Sequence, residues 1–400
     1  MRTFRPGSEL ELRDWVASAG EGAFAREAPI VTGTTPDRTD TGLGALPRLC
    51  VSTEALSNTV DFRPGDLTIT VGSGMRLSAL SCIVAEAGLW LPLAGLPEDR
   101  SVGGWVAAAP VGGFDGSYGP VRRHVLACTL VLWDGRITRW GRPVMKNVAG
   151  YDVPRILCGS RSRLGILTTV TLRLWPRPRV LRRFELAGAS LRDPGAAFAG
   201  APRFESLMWH GSPGITAPPT ASVSLAGGST SVATRSDALL QWAGDKNLDF
   251  QEVGADGMQA TPIAGSRRSR PATGAAYRIT LGRRYLTAGL RDLERRVDGD
   301  GKSWKLEVLP ATGVARLLTD EGKAAGRRPA PAWLTAISDH AGRTSVPHPS
   351  LEISAVRVER GGQAEHEAAH RLRNTAAREV ERRWTAAFSG ADAPWQADYL

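Results

Sequence analysis

The sequence predicts an α+β fold, and three features carry that expectation. Apolar runs of strand length alternate with helical patterns but without the regular spacing of βαβ units. An Asp-Gly pair, Asp134-Gly135, separates two such runs. A capping signature, Ser8-Glu9-Leu10-Glu11, precedes an amphipathic stretch with apolar residues at Leu12, Trp15, Val16 and Ala19. A serine hydroxyl at a helix start can accept from an amide three residues on while the glutamate reaches back, so this stretch is expected to be the first helix.

Strands are expected at Pro29 to Thr32, Arg48 to Val51, Leu67 to Val71, Leu89 to Leu93, Leu126 to Trp133, Ile137 to Trp140 and Ile166 to Leu174. Asp and Gly both tolerate positive φ, so Leu126 to Trp140 reads as a β-hairpin. Helices fit Leu77 to Ala87, Gly103 to Ala109 and Val153 to Cys158, the last with Asp152 as a candidate cap. Trp175-Pro176-Arg177-Pro178 then stops the last strand, because two prolines remove ladder donors. This gives a first domain over 8–180 and a second, smaller α+β domain over 181–320. The second domain has strands near Phe184, Ala221 to Leu225, Tyr277 to Leu281 and Trp304 to Leu309, and helices near Ala238 to Ala243, Leu286 to Arg296 and Val314 to Leu318. Residues 321–400 are read as a tail rich in Pro, Gly, Ser and Arg, closing on a polar helix from Gln363 to Phe388.

The 400 residues carry 50 basic and 40 acidic side chains, a formal charge of +10. Up to residue 180 there are 21 basic and 16 acidic residues, which leaves 29 against 24 beyond it, +5 in each part. A nucleic-acid binder concentrates its charge in an arm or on one helix, and no such block occurs, so nucleic acid is not an expected partner. Cys50, Cys82, Cys128 and Cys158 are too widely spaced for a metal knuckle or redox pair and are read as buried small hydrophobes in a reducing compartment. No signal peptide is read in the charged start, and the apolar runs fall short of the ~18 residues of a membrane span. A soluble, cytoplasmic protein without direct membrane insertion is expected.

Glycine-rich turns concentrate in the first domain: Ser101-Val102-Gly103-Gly104, Val111-Gly112-Gly113, Gly116-Ser117-Tyr118-Gly119, and Gly159-Ser160 through Gly165. Glycine lets backbone amides approach a diphosphate or a flavin ring closely, and small hydroxyl residues add donors. Each turn alone is equally an ordinary loop. Taken in order with Leu91-Pro92, Pro120-Val121-Arg122, His124-Val125-Leu126, Lys146-Asn147-Val148-Ala149-Gly150-Tyr151-Asp152, Leu164-Gly165-Ile166-Leu167 and Pro176-Arg177-Pro178, they resemble the FAD-binding domain of the vanillyl-alcohol-oxidase (PCMH) type. Within that type the chain looks most like the FAD-binding subunit of bacterial glycolate oxidase.

That resemblance implies a two-subdomain, non-Rossmann fold with FAD extended between the subdomains. It implies contacts to the cofactor from Gly33 in the first loop, from Ser101, Val102, Gly103 and Gly104 at the pyrophosphate, and from Gly113, Ser117, Tyr118 and Gly119 near the flavin. Gly159, Ser160, Gly165 and Ile166 would lie around the ribityl or adenosine portion. The implied function is an FAD-dependent oxidoreductase subunit in oxidation of a 2-hydroxy acid such as glycolate. Its implied partners are a catalytic flavoprotein subunit and an iron–sulfur subunit, whose cluster ligands this chain's cysteine spacing does not supply. Three positions depart from the family pattern. The first loop, Val31 to Asp37, has a single glycine and a carboxylate; Arg123 stands where an Asp follows Arg122; and Ser162 stands where a second glycine is usual. These departures favour the alternative of a flavin-free structural subunit.

No catalytic base is assigned from the sequence, since His210, His340 and His348 match no motif and read as surface or loop histidines. His366-Glu367-Ala368-Ala369-His370 has literal zinc-peptidase spacing. Its polar flanks favour a solvated helix, and no metal site is assigned there.

Overall fold

The computed structural model describes residues 2–18, 30–32, 49–93, 100–144, 152–193, 197–211, 218–253, 276–281, 290, 293, 304–310, 312, 314–319 and 353–360. The chain opens with β1 (Arg2–Phe4) and α1 (Glu9–Ser18), followed by β2 (Ile30–Thr32) and β3 (Leu49–Ser52). The capping box forms: the Glu11 amide donates to Ser8 Oγ at 3.1 Å, and the Glu11 carboxylate accepts from the Gly7 amide at 2.7 Å. The three strands make a small parallel sheet in the order β1-β3-β2. Leu12 and Val16 of α1 pack on Val51, Val131, Trp133 and Ile166, which joins this sheet to the next one.

The second subdomain runs through β4 (Thr59–Arg63), β5 (Thr68–Gly72), α2 (Leu77–Glu86), β6 (Leu89–Trp90), α3 (Val102–Ala108), α4 (Asp115–Tyr118), β7 (Val125–Val131), β8 (Ile137–Gly141), α5 (Val153–Leu157), β9 (Ile166–Arg173) and β10 (Trp175–Pro176). Five of these strands form an antiparallel sheet in the order β4-β5-β9-β7-β8. Its core joins Val71, Leu130, Val170 and Leu172 to Leu80, Val102 and Leu157 of the helices. Gly135 closes the β7-β8 hairpin at φ +82°, as the Asp-Gly signal requires. The expected strand at Leu89 to Leu93 shortens to Leu89–Trp90, which pairs with Trp175–Pro176. β4 and the single helical turn α4 had no clear sequence signal, the first being short and exposed along much of its length and the second lying inside a glycine loop.

The described elements that follow are β11 (Val180–Ala187), β12 (Ser206–Gly211), β13 (Thr220–Gly227), α6 (Ser229–Asp245), β14 (Asp249–Glu252), β15 (Ala276–Leu281), β16 (Trp304–Leu309), β17 (Val314–Thr319) and β18 (Ile353–Arg360). They form one antiparallel sheet in the order β14-β11-β13-β12-β16-β17-β15-β18. Val232, Leu239 and Trp242 of α6 cover one face through Phe184, Val223, Leu306 and Leu317. The helix expected at Val314 to Leu318 is strand β17. An apolar run this short has no period that separates helix from strand, and here its backbone groups are taken by ladders to β16 and β15. Strand β18 comes from the segment read as a tail and pairs with β15. Leu290 and Leu293, within the expected helix Leu286 to Arg296, are helical and buried in the core. The rest of that helix and the polar helix Gln363 to Phe388 lie outside the described residues.

Candidate functional site

Three turns meet at the amino-terminal end of α3 at backbone contact. A Cβ on Gly74 would strike the Thr53 carbonyl, and one on Gly72 the Leu56 carbonyl. The turn of Ser101 to Gly104 is sewn to the next: Val102 N donates to Met75 O at 2.8 Å, Gly103 N to Ser73 O at 2.7 Å, and Gly104 N to Ser101 Oγ at 3.1 Å. Those three amides, expected to face a pyrophosphate, are thus spent inside the protein. Beside them lies a donor the sequence reading missed. Ser73 is 1% exposed, and its hydroxyl has no hydrogen-bond partner. A Cβ on Gly103 would sit 2.9 Å from Ser73 Cβ, so the bare glycine gives room at this hydroxyl. The Gly72-Ser73-Gly74 triplet was its only sequence signal.

The loop from Gly112 to Gly119 contains α4. Asp115 N donates to Gly112 O, Tyr118 N to Phe114 O and Gly119 N to Asp115 O, but no acceptor among the described residues meets the amides of the buried Gly112 and Gly113. This turn is also the contact to the second domain: Ser117 Oγ donates to Phe204 O at 3.2 Å, and Phe114 and Tyr118 pack with Trp90 and Leu181. The Tyr118 ring meets Trp175 at 5.1 Å and Trp90 at 5.5 Å, both edge-on. The indole N–H groups of both tryptophans are buried without an acceptor. Burial, and then the nearby Glu205 carboxylate, push the Tyr118 phenol up, so it stays protonated.

Gly159-Ser160 joins the first group from the other end of α3. Gly159 N donates to Val106 O at 3.0 Å and Arg161 N to Ala107 O at 2.9 Å. Ser160 N and Gly165 N are likewise bonded, to Leu157 O and Ser162 O. Ile166 is fully buried against α1, and Gly165, at φ +145°, presses on the Val131 carbonyl. Ser162 has φ +63°, which gives a physical reason for the usual glycine there. Asp152 precedes α5 without a side-chain cap bond and pairs with Arg155 at 2.9 Å instead. Gly33, the segment Lys146 to Tyr151, and the His366 to His370 motif lie outside the described residues.

Arg123 covers Gly119, where a Cβ would meet its side chain at 2.8 Å. Burial and Arg123 hold the Arg173 guanidinium below its ordinary range, and it stacks over Trp175 at 4.0 Å. The loop therefore carries two adjacent positive charges, Arg122 and Arg123, beside Arg173. His124 is buried and its ring is pushed down to about 4 by burial. Burial pushes the Cys128 and Cys158 thiols up, the latter to about 12, so both stay neutral. Cys82 departs from the expected burial and is exposed on α2. His210, expected on the surface or a loop, lies in β12 with its ring pushed down by burial. Among the described residues there is no cluster of three His, Cys, Asp or Glu that could hold a metal ion, and no helix is long and apolar enough to cross a membrane.

Residues 3–141 match the family model described as FAD binding domain. Glycolate oxidase subunit GlcE of Escherichia coli (strain K12) is 37% identical over 122 residues, 30% of this chain and 35% of that protein. A probable mitochondrial D-lactate dehydrogenase of Danio rerio is 34% identical over 154 residues, 38% of this chain and 31% of that protein. The matches thus span about a third of each relative's length. A solved alkyldihydroxyacetonephosphate synthase shares the fold with a TM-score of 0.59 at 12% identity, over 79% of this chain and 70% of that one.

The residues present fit such a cofactor. FAD offers acceptors along its diphosphate and around its ring, and Ser73 Oγ, the Gly112 and Gly113 amides and two buried indoles are donors without a partner among the described residues. Residues 3–141 are thus similar to an FAD binding domain, and the likeness to the relatives is confined to part of the chain.

Proposed function

We propose that the chain is the FAD-binding subunit of a cytoplasmic oxidoreductase acting on a 2-hydroxy acid such as glycolate, beside a catalytic flavoprotein subunit and an iron–sulfur subunit. The observation that carries this reading is the set of donors without a partner among the described residues in the segment that matches an FAD binding domain: Ser73 Oγ, Gly112 N and Gly113 N. An unpaired buried donor costs about 1–3 kcal/mol, so a ligand that supplies acceptors there is strongly favoured.

Bound FAD would supply the capacity to take two electrons and a hydrogen from the substrate carbon. Ser101 to Gly104 and Gly159-Ser160 form the floor at the two ends of α3, with Ser73 donating to the diphosphate. Gly113 would bring its amide, and Ser117 to Gly119 the Tyr118 ring, to the flavin side, where Phe114, Trp90 and Trp175 exclude water. Gly165 and Ile166 act by holding the loop on its strand, and Gly33 contributes from the first loop. The relatives named above share the amino-terminal segment, which supports the hydroxy-acid class and the subunit partners.

The test is a visible spectrum of the purified chain, repeated after incubation with FAD and gel filtration. Flavin absorbance near one equivalent is expected. The second reading, a structural subunit without flavin, is favoured by the Ser101 to Gly104 and Gly159 to Gly165 amides being bonded within the protein. It predicts a colourless chain that takes up no FAD.

A further inference from the structure

Elsewhere among the described residues arginines find carboxylates: Arg76 pairs with Glu54, Arg139 with Glu9, Arg155 with Asp152 and Arg235 with Glu205. Arg122, Arg123 and Arg173 differ. Arg122 and Arg123 are exposed in the turn before β7, Arg173 is half-buried at the end of β9, and among the described residues none of the three has an ion pair. The backbone draws the last two together, since Arg173 N donates at 2.7 Å to the carbonyl of His124, the residue after Arg123. Their guanidiniums repel, and Arg123 adds to burial in holding Arg173 below its ordinary range.

Both side chains are held in place. The Arg123 stem lies over Gly119, where a bare glycine at φ +92° leaves it room, and its charged head is left uncommitted. The Arg173 guanidinium lies over the Trp175 ring, 4.0 Å from the centroid, and its Nε is buried without a partner among the described residues. An arginine supported on an aromatic face loses less freedom when it takes a carboxylate, and its planar fork accommodates two parallel N–H···O bonds. Two positive charges kept side by side without an acid carry a repulsion that an incoming anion relieves.

We propose that Arg123 and Arg173, flanked by Arg122, form a docking point for an acidic segment of a partner polypeptide, whose Asp or Glu carboxylate the two guanidiniums clamp. This goes beyond the oxidoreductase reading and stands without it. The occupant follows from the size and shape of the feature. Nucleic acid needs a longer track of positive charge than one turn and one strand end, and the formal charge of +10 is spread along this chain. A free small anion would meet these groups on an open surface, where each exposed contact contributes little, whereas a carboxylate carried on a polypeptide is held by the rest of the interface as well. Trp175 meets the Tyr118 ring at 5.1 Å, so a docked segment lies one aromatic layer from the loop Gly112 to Gly119.

The experiment titrates the full chain into fluorescein-labelled hexaglutamate and follows fluorescence anisotropy at about 0.02 M and about 0.15 M salt, with weaker binding expected at the higher salt. Arg123→Gln and Arg173→Gln are each expected to weaken binding about fivefold, and both together at least about tenfold. Arg13→Gln removes the same charge from α1, which packs at the opposite end of β9, and is expected to change binding by less than about twofold. Arg123→Lys with Arg173→Lys keeps the charge but loses the planar fork, and a loss of about threefold or more is expected. Thermal unfolding midpoints establish that the variants are folded, and Arg123→Gln, at an exposed position, carries the test if an Arg173 variant does not fold. Equal affinity in the wild type and the glutamine variants, or no binding at the lower salt, overturns the proposal. Full binding by the lysine variant overturns it too, leaving only diffuse charge. So does displacement of the peptide by inorganic phosphate or a thymidine oligonucleotide at a lower concentration than by unlabelled hexaglutamate, which would mark a small-anion or nucleic-acid site. None of these readouts depends on flavin, which is followed by absorbance in the same samples.

Discussion

Lowering the pH should destabilise the first domain through His124. This residue follows the turn that Arg123 covers, is 3% exposed, and its Nε2 is 3.1 Å from the Gly119 carbonyl. The neutral ring donates there through Nε2–H, and its Nδ1 has no partner. A second proton would sit on that nitrogen without an acceptor and close to the Arg173 guanidinium. Burial, opposed in part by the Gly119 bond and aided by Arg173, pushes the ring from 6.5 down to about 4. Unfolding releases the ring to take up a proton at any pH below about 6.5, which the folded protein refuses until about pH 4. Stability from this residue is therefore complete above 6.5 and drains away as pH falls toward 4. At about 1.4 kcal/mol for each of about 2.5 pH units, the loss reaches about 3.5 kcal/mol, a large share of a typical domain's 5–15 kcal/mol. The assay is urea unfolding followed by tryptophan fluorescence at closely spaced pH values, in the wild type and in His124→Gln, whose amide can still donate to Gly119. The wild type should lose up to about 1.4 kcal/mol more per pH unit than the variant between pH 6 and 4.5. Parallel stability curves for the two proteins refute the reasoning.

Three further outcomes follow from the same geometry. Ser162→Gly should raise stability by about 1 kcal/mol, because it relieves a left-handed backbone at φ +63°, partly offset by the greater freedom of an unfolded glycine; thermal or urea unfolding measures it. Ser73→Ala should leave the fold intact, since the hydroxyl has no protein partner, yet weaken FAD binding by about tenfold in equilibrium titration. Among Cys50, Cys82, Cys128 and Cys158, a maleimide should label Cys82 quickly in the folded chain and the others only on unfolding, as mass spectrometry of digests would report.

Local signals in the sequence carried the local structure well. The Ser8 to Glu11 box placed α1, and Asp134-Gly135 placed the β7-β8 hairpin, because each is decided by backbone chemistry within a few residues. Val314 to Leu318 was misread because a short apolar run folds according to its neighbours, and those neighbours are strands from 304–309 and 276–281. The glycine turns were legible as a group, and the structure brings Ser101 to Gly104 and Gly159-Ser160 to the two ends of one helix. Which amides remain free was not legible. That depends on partners such as Ser73 O and Val106 O, whose positions are set by packing. The same holds for the box of Trp90, Phe114, Tyr118 and Trp175, assembled from three separate elements and closed only when β6 and β10 pair. His210 was unreadable as a half-buried group because the alternation in β12 says which face it occupies, and burial depends on what covers that face.

The central claim is that specific donors in the amino-terminal domain are waiting for an FAD acceptor. Amide hydrogen exchange, resolved to single residues, in the chain with and without saturating FAD tests it most directly. The account predicts new protection at Gly112 and Gly113, and little change at Val102, Gly103 and Gly104, whose amides already donate within the protein. Unchanged exchange at Gly112 and Gly113 with FAD present in excess would contradict it.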